Sequence, residues 1–351
     1  MYPFSEGIFA ARNQWYVAAW SHEVDRSLLS RWILNEPVVL YRTENGEPTA
    51  VYGRCPHRHF PLGESRLVGD NIECGYHGFT FSPSGTCVKI PTQDVIPDKC
   101  RIKSYPLIEK WKWLWIWMGD PELADESLIP DHKAAGLDDS DFEAVPGFYF
   151  EVPGRYQLMN DNLLDLSHLS YLHKSSIGSE EMAGAKEEKE EGETWLSSKR
   201  GAKNIACPAL YAPLLNYEGN VDRYFGMVSN LPGFHVGFDE FRKHSDDGEL
   251  GELLGRLNVY HVVTPGKYKT TNYFFAIGRN FAKSDEVTKS LIAGIEPVLH
   301  EDISATEYIE KLMDELGDVP PEFLAKGDAH AVRGRRKLEA MIKKEMKQDA
   351  S

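Results

Sequence analysis

The chain is short of positive charge: 39 lysines and arginines stand against 54 aspartates and glutamates, a formal net charge of −15. That balance disfavours a nucleic-acid surface, which needs a basic patch to neutralise phosphates. Long apolar runs are also missing. None approaches the roughly 20 residues of a membrane span, and the opening MYPFSEGIFAARNQ lacks the basic region and apolar stretch of a secretion signal, so a cytoplasmic protein without membrane association is expected. Cysteine is scarce, with five in 351 residues. An odd few in a long chain argue against a disulfide framework and for metal ligation or plain burial of Cys55, Cys74, Cys87, Cys100 and Cys207. No GxGxxG loop that would cradle a dinucleotide is evident. The remaining composition, 42% hydrophobic and 26% charged, is that of a globular protein long enough for two domains with full cores.

Residues 33–125 read as strands and turns. ILNEPVVLYRTENGEPTAVYG predicts a hairpin around Asn45-Gly46, and glycine and proline punctuate the later runs. Within this all-β stretch sit CPHR, residues 55–58, and CGYHG, residues 74–78, which give Cys-x-His, sixteen intervening residues, then Cys-x-x-His. Each loop offers one sulfur and one nitrogen. Zinc accepts two of each, but zinc-finger spacing groups cysteines with cysteines and histidines with histidines. A Rieske [2Fe-2S] centre needs two thiolates on one iron and two imidazoles on the other, and two loop tips of mixed kind meet that demand.

A second polar cluster lies in DNLLDLSHLSYLH, residues 161–173. Leucine at this density marks a buried helix, where an unpaired carboxylate is costly. At about 100° per residue Asp161, Asp165 and His168 share one face, whereas His173 falls about 140° from His168. Two histidines five apart therefore reach one ion only if the helix bulges or breaks between them. Without a metal, histidines in such a helix are commonly satisfied by backbone or by neighbouring helices.

With these two patterns, the sequence resembles the Rieske non-haem iron oxygenases over nearly its whole length. The likeness is strongest to the group with the vanillate and dicamba O-demethylase oxygenase components, through RNQWYVAAW, CPHR, CGYHG, WIWMGDPELAD, DNLLDLSHLSYLH and HVVTPGKY with YFFAIGRNF. The resemblance implies an α+β chain: an N-terminal all-β Rieske domain, residues 1–120, followed by a catalytic domain, residues 121–351, with an antiparallel sheet flanked by helices. It implies that Cys55, His57, Cys74 and His77 hold the cluster and that His168 and His173 bind a mononuclear Fe(II). In IEPVLHEDISATEYIE the Glu301-Asp302 pair matches the family's carboxylate, making Asp302 the third ligand of a 2-His-1-carboxylate site. Asp165 is then expected to bridge His168 to His77 of a neighbouring chain in a homotrimer, and equally to orient His168 through its ring nitrogen. Asn162 matches a position near the iron, although at a helix start it also suits a cap. His261 lies where the dicamba-type enzyme contacts its substrate's carboxylate; a strand histidine satisfied by backbone is the plainer reading.

The resemblance also implies a terminal oxygenase that uses O2 and takes electrons from NAD(P)H indirectly, through a separate reductase or ferredoxin. The expected reaction on a small aromatic substrate is O-demethylation with release of formaldehyde. Ring dihydroxylation and N-dealkylation are alternatives at the same two-metal site, and a Rieske electron carrier is the non-enzymatic one. Other motifs read as structure. WKWLWIW, residues 111–117, alternates as a strand buried on both faces. GSEEMAGAKEEKEEGE, residues 178–193, reads as a solvated loop over the pocket entrance, HSDDGELGELLGR as a second lid, and AVRGRRKLEAMIKKEMKQ as a packing or exposed helix. His22, His59, His132, His244 and His330 are read as structural or surface residues.

Overall fold

In the computed structural model, which describes residues 6–137, 139–173, 187–208, 211–246, 249–317 and 319–349, the turn expected at Asn45-Gly46 joins the antiparallel strands Glu36–Arg42 and Pro48–Tyr52. Gly46 takes φ +85°, a left-handed conformation that glycine adopts without steric cost. Leu29–Ile33 completes this small sheet. A second sheet orders Arg66–Val68, Asn71–Glu73, Thr80–Phe81 and Cys87–Lys89, and a third joins Trp15–Trp20, Trp113–Trp117 and Leu107–Lys110.

The tryptophan run behaves as its alternation predicts. Trp113, Trp115 and Trp117 enter one cluster with Trp15, Trp20 and Phe234, while Leu114 and Ile116 enter another with Tyr16, Tyr156 and Leu338. Trp111 differs: it occupies the turn before the strand at φ +56° and packs on the edge of the tryptophan cluster. Both clusters draw residues from the two halves of the chain, so this strand ties the β-rich first half to the second.

From Glu143 onward, seven antiparallel strands run in the order Glu143–Val152, Thr271–Arg279, Leu253–Pro265, Phe234–Lys243, Asn220–Asn230, Trp195–Ala206, Glu187–Glu191. Helices Tyr156–Leu164, Asp285–Leu316 and Ala329–Asp349 pack with this sheet, giving the expected α+β architecture. The long helix starts at Ser284, whose hydroxyl accepts from the Val287 N–H, with Asp285 and Glu286 in the favourable first turn. Val298, Asp302, Thr306 and Glu310 succeed one another at helical i, i+4 steps and are all buried, so this inward stripe is largely polar.

Three contacts hold the site helix Tyr156–Leu164 in place. Glu310 accepts from the Arg155 backbone N–H at 3.0 Å and from its Nε and Nη2 at 2.7 and 2.6 Å, with both side chains 5% exposed. Arg335 of the C-terminal helix pairs with Asp161 at 2.7 Å. That helix approaches so closely at Gly334 that a Cβ there would lie 2.3 Å from Leu164 Cδ1. The C-terminal segment is thus a packing helix.

Residues 161–173 do break as the histidine spacing requires, though the α-helix already ends at Leu164, ahead of His168: Asp165 takes φ −116° and ψ 95°, and Leu166–Ser170 forms a 3-10 turn. One expectation changes. The acidic segment 178–193 is not wholly a loop, because Glu187–Glu191 pairs with Trp195–Ala206 as the outermost strand of the sheet. Charge did not prevent a strand there since an outer strand needs a partner on one side only. Residues 178–186, and with them the suggested cover over the pocket, lie outside the described residues. Of HSDDGELGELLGR, read as a second lid, the last four residues, Leu253 to Arg256, already belong to the strand Leu253–Pro265, and the rest connects it to Phe234–Lys243, with residues 247–248 also outside the described residues.

Candidate metal centres

The two mixed loops of the β part are built alike. The Cys55 N–H donates to the Phe60 carbonyl and its own carbonyl accepts from His59; the Cys74 N–H donates to the Phe79 carbonyl and its carbonyl accepts from Gly78. Each turn is closed by a residue with positive φ, His59 at 60° and Gly78 at 72°. The turns bury Cys55 and Cys74 against each other and leave His57 and His77 exposed, with ring centroids 4.6 Å apart. Burial pushes the Cys55 thiol up to about 11; the backbone N–H of His57 opposes this, and Cys74 adds to the rise. Thiol thus faces thiol and imidazole faces imidazole, the division that a cluster with one sulfur-bound and one nitrogen-bound iron requires.

The second centre forms where the helix fails. His168, His173 and Asp302 bring one ligand atom each to within 4.8 Å of one another. His173 Nε2 is 3.0 Å and His168 Nε2 3.6 Å from Asp302 Oδ1. The other nitrogen of each ring is already engaged. His168 Nδ1 donates to the Asp165 backbone carbonyl, and His173 Nδ1 donates to Glu301 Oε2 at 2.6 Å. Since a carbonyl only accepts, Nδ1 of His168 must carry hydrogen, and in neutral rings both Nε2 atoms then present lone pairs toward the Asp302 carboxylate. Three electron-rich atoms face one another, an arrangement that calls for a cation between them. Burial lowers the His173 pKa, but Asp302 and Glu301 on its two nitrogens outweigh it and raise the value. Asp302 is likewise pushed up by burial, and His173, His168 and Asn162 more than reverse this. The donor set suits a 2-His-1-carboxylate iron site.

Asn162 Nδ2 donates to Asp302 Oδ1 at 2.9 Å, so it acts on the carboxylate rather than as a helix cap, and its buried Oδ1 has no partner among the described residues. Asp165 departs from the expected second role: its backbone carbonyl, not its carboxylate, orients His168, while the carboxylate accepts from the Ser167 N–H at 2.9 Å. Leaving the helix at Asp165 frees that carbonyl for the ring. Asp161 turns to Arg335.

The centre opens on a cavity of about 210 Å³ whose remaining wall is mainly apolar, with Leu166, Leu169, Met227, Val259 and Leu299 among its residues. His261 lines the same cavity from strand Leu253–Pro265; its Nδ1 meets the Tyr273 hydroxyl at 2.5 Å rather than backbone. Burial lowers the His261 pKa to about 4, with Asp302 opposing this and His168 and His173 adding to it. Glu301 was named in the sequence only as the neighbour of Asp302. A carboxylate beside a ligand is its one sequence signal, and it does not reveal that the side chain reaches the outer nitrogen of His173.

Residues 14–106 match the Rieske [2Fe-2S] domain family, and residues 152–344 match the family described as vanillate O-demethylase oxygenase C-terminal domain. The chain is 35% identical to the iron-sulfur subunit of the toluene-4-sulfonate monooxygenase system of Comamonas testosteroni, over 95% of this chain and 97% of that protein. It is 32% identical to the oxygenase component of chloroacetanilide N-alkylformylase of Rhizorhabdus wittichii, over 95% and 96%. The crystal structure of dicamba monooxygenase bound to 3,6 dichlorosalicylic acid matches with a TM-score of 0.84 at 29% identity, covering 95% of this chain and 98% of that one. The chain belongs to the Rieske non-haem iron oxygenases, among the oxygenase components of the vanillate and dicamba O-demethylase type. It is accordingly an oxidoreductase.

Proposed function

We propose that this protein is the terminal oxygenase of a multicomponent system and hydroxylates a small aromatic substrate, with O-demethylation of an aryl methyl ether as its reaction. The observation that carries the reading is the convergence of His168, His173 and Asp302 on the wall of an otherwise mainly apolar cavity. In this reading residues 1–120 hold a Rieske cluster through Cys55, His57, Cys74 and His77, and residues 121–351 hold Fe(II) through His168, His173 and Asp302. Bound there, ferrous iron would supply, together with an electron from the cluster, the reduction of O2 and insertion of one oxygen atom into a C–H bond.

The chain's own residues prepare that chemistry. Glu301 and the Asp165 carbonyl fix the two rings, and Asn162 steadies the Asp302 oxygen. The apolar wall holds an aromatic ring and excludes water, and His261 faces the substrate. Oxygen placed on an ether methyl gives a hemiacetal, which collapses to a phenol and formaldehyde. The second oxygen atom leaves as water with two electrons and two protons. Those electrons come from NAD(P)H through a separate reductase or ferredoxin. With both metals bound, Asp165, whose backbone carbonyl holds the His168 ring, would stand between His77 of one chain and His168 of the next at the boundary between subunits of a cytoplasmic homotrimer. The full-length similarity to a chloroacetanilide N-alkylformylase component favours N-dealkylation as the second reading over ring dihydroxylation.

The test is oxygen-dependent formaldehyde release from methoxylated and N-alkylated aromatics by the purified protein with a reductase. Electron paramagnetic resonance of the dithionite-reduced protein accompanies it, and should give the low average g value of mixed nitrogen and sulfur ligation. His168→Ala, His173→Ala and Asp302→Ala should each lose mononuclear iron and turnover while keeping the cluster signal. A colourless zinc protein, or full activity in Asp302→Ala, overturns the assignment. Turnover of N-alkyl substrates alone moves the reaction to N-dealkylation.

A further inference from the structure

Six glycines lie inside strands of the seven-stranded sheet, where glycine weakens pairing because it costs backbone entropy and brings no side chain to pack. At five of them protein atoms already stand closer than a side chain tolerates. A Cβ would come 2.8 Å from Phe275 at Gly147, 2.9 Å from Tyr224 at Gly201, 2.0 Å from the Ser198 carbonyl at Gly226, 2.4 Å from Leu215 at Gly255 and 2.9 Å from the Tyr260 hydroxyl at Gly278. Gly237 is the exception. The three atoms nearest its Cβ position stand at 3.6 to 3.8 Å, ordinary van der Waals distances, and all belong to Met227 and Val259. Its φ is not positive, so the backbone is open to other residues. Neither packing nor backbone conformation therefore calls for glycine at 237.

What the position does border is the cavity. In register Gly237 lies between Met227 and Val259, and residues directly opposite one another project to the same face of a sheet. All three line the cavity, so a side chain at 237 would enter it. Two residues along the strand the row on this face is Ser229, His235 and His261, and His261 interacts electrostatically with His168, His173 and Asp302. In the other direction the row is Phe225, Asp239 and Leu257. At about 3.3 Å per residue, the Gly237 row stands about 7 Å from the His261 row. The sheet side of the cavity is thus indented one row away from the iron site, between two apolar side chains.

We propose that Gly237 is a specificity-determining residue of this cavity: the space of its missing side chain seats the ring of an aryl ether whose methoxy group is bonded directly to that ring. The inference rests on the reading of the cavity as the oxygenase active site. A glycine inside a strand marks a place where something approaches the backbone closely. At the other five positions the protein itself makes that approach, and at 237 the open side is the cavity. A ring laid on the glycine backbone between Met227 and Val259 buries apolar surface against both. With about 7 Å to the His261 row, a group bonded directly to the seated ring is presented at the iron site. An added methyl narrows this seat without displacing its neighbours, and a branched side chain fills it.

The experiment compares two ligands on the holoenzyme, methoxybenzene and the bulkier 1-methoxy-3,5-dimethylbenzene. Dissociation constants come from calorimetry without oxygen, and formaldehyde is measured in parallel with oxygen and reductase. In Gly237→Ala the dimethyl ligand should lose roughly tenfold in affinity relative to methoxybenzene, and in Gly237→Val both should weaken roughly tenfold or more, the scale of a carbon added to or taken from a fitted apolar pocket. Gly237→Ala should keep the parental iron content and cluster signal. Unchanged affinities in Gly237→Val overturn the proposal, as does failure of the parent to bind methoxybenzene. Loss of iron or cluster in Gly237→Ala overturns it as well, since the glycine would then serve the fold; if Gly237→Val does not fold, the ratio in Gly237→Ala alone decides. Size-dependent loss of binding without formaldehyde from either ligand upholds the seat while sinking O-demethylation, whereas formaldehyde released equally by the parent and both variants does the reverse.

Discussion

Glu301 and Asp302, consecutive in one helix, engage opposite nitrogens of the His173 ring: Glu301 meets Nδ1 at 2.6 Å and Asp302 meets Nε2 at 3.0 Å. The first contact sets which nitrogen carries the hydrogen, and so which lone pair faces the metal site. Glu301→Ala should therefore weaken iron binding about 10- to 100-fold, the usual cost of losing such a partner. Glu301→Gln, which keeps an acceptor oxygen, should be milder. Iron titration accompanied by cluster spectroscopy checks this, and parental affinity in Glu301→Ala would remove the residue from the centre.

Asp165 offers a way to separate structure from electron transfer. Its carboxylate needs one acceptor oxygen for the Ser167 N–H, and asparagine supplies it. Asp165→Asn should keep both metals, the turn, the oligomer and the backbone carbonyl on His168, yet, by removing the charge that the proposed route sets against His77 of the neighbouring chain, slow oxidation of the reduced cluster severely in a single turnover with substrate and oxygen. Parental oxidation rates in the variant, or a fully active monomer of the parent, would exclude the route between subunits.

The buried pair of Arg155 and Glu310 anchors the start of the site helix to the long helix that carries Asp302. Glu310→Ala removes three hydrogen bonds to Arg155, two of them from the guanidinium, and with them the carboxylate charge paired with that buried cation. A loss of about 3–5 kcal/mol is expected in denaturant unfolding, the scale for breaking a buried ion pair from one side. A loss below about 1 kcal/mol would show the pair to be hydrated in solution.

His132 is 1% exposed, packed among Trp113, Trp115 and Phe234, and neither ring nitrogen has a partner among the described residues. Burial lowers its pKa to about 4, with Lys110 adding to the shift and Asp131 opposing it. Because the unfolded histidine, near 6.5, takes up a proton before the folded one does, the stability it contributes is full above that value and declines as pH falls toward 4. His132→Phe should lack this decline, and relative to its own value at pH 7 should retain about 2 kcal/mol more than the parent at pH 5. His235, also buried and shifted down to about 3, contributes equally to both proteins and cancels in the comparison. Parallel stability curves for variant and parent would count against the neutral buried ring.

The five-residue step between His168 and His173 excluded a regular helix serving both, and the helix does end early, because angular spacing is a property the sequence displays directly. Where it ends was hidden. Asp165 suits a helix face and a turn equally, and only the fold shows its backbone carbonyl on His168. The cysteine and histidine loops were legible because their spacing and the ligand chemistry lie within a few residues. Asp302 was less so: its buried stripe includes Thr306 and Glu310, and this polarity masks the inward face that apolar periodicity would mark. Met227, Gly237 and Val259 meet through the register of three strands, which no local pattern in any one strand reveals.

Among the described residues the outermost strand of the seven-stranded sheet, Glu187–Glu191, reads EEKEE and pairs with Trp195–Ala206 along one side. Such a strand is where a foreign chain adds itself by backbone pairing, the first event of fibrillar aggregation. Here an incoming copy would bring its own acidic strand, setting carboxylates against carboxylates in a protein of net charge −15. The charges that made this segment read as a loop therefore guard the sheet against growth from that side. Their protection fades in strong salt, which screens them, and in acid, which neutralises them.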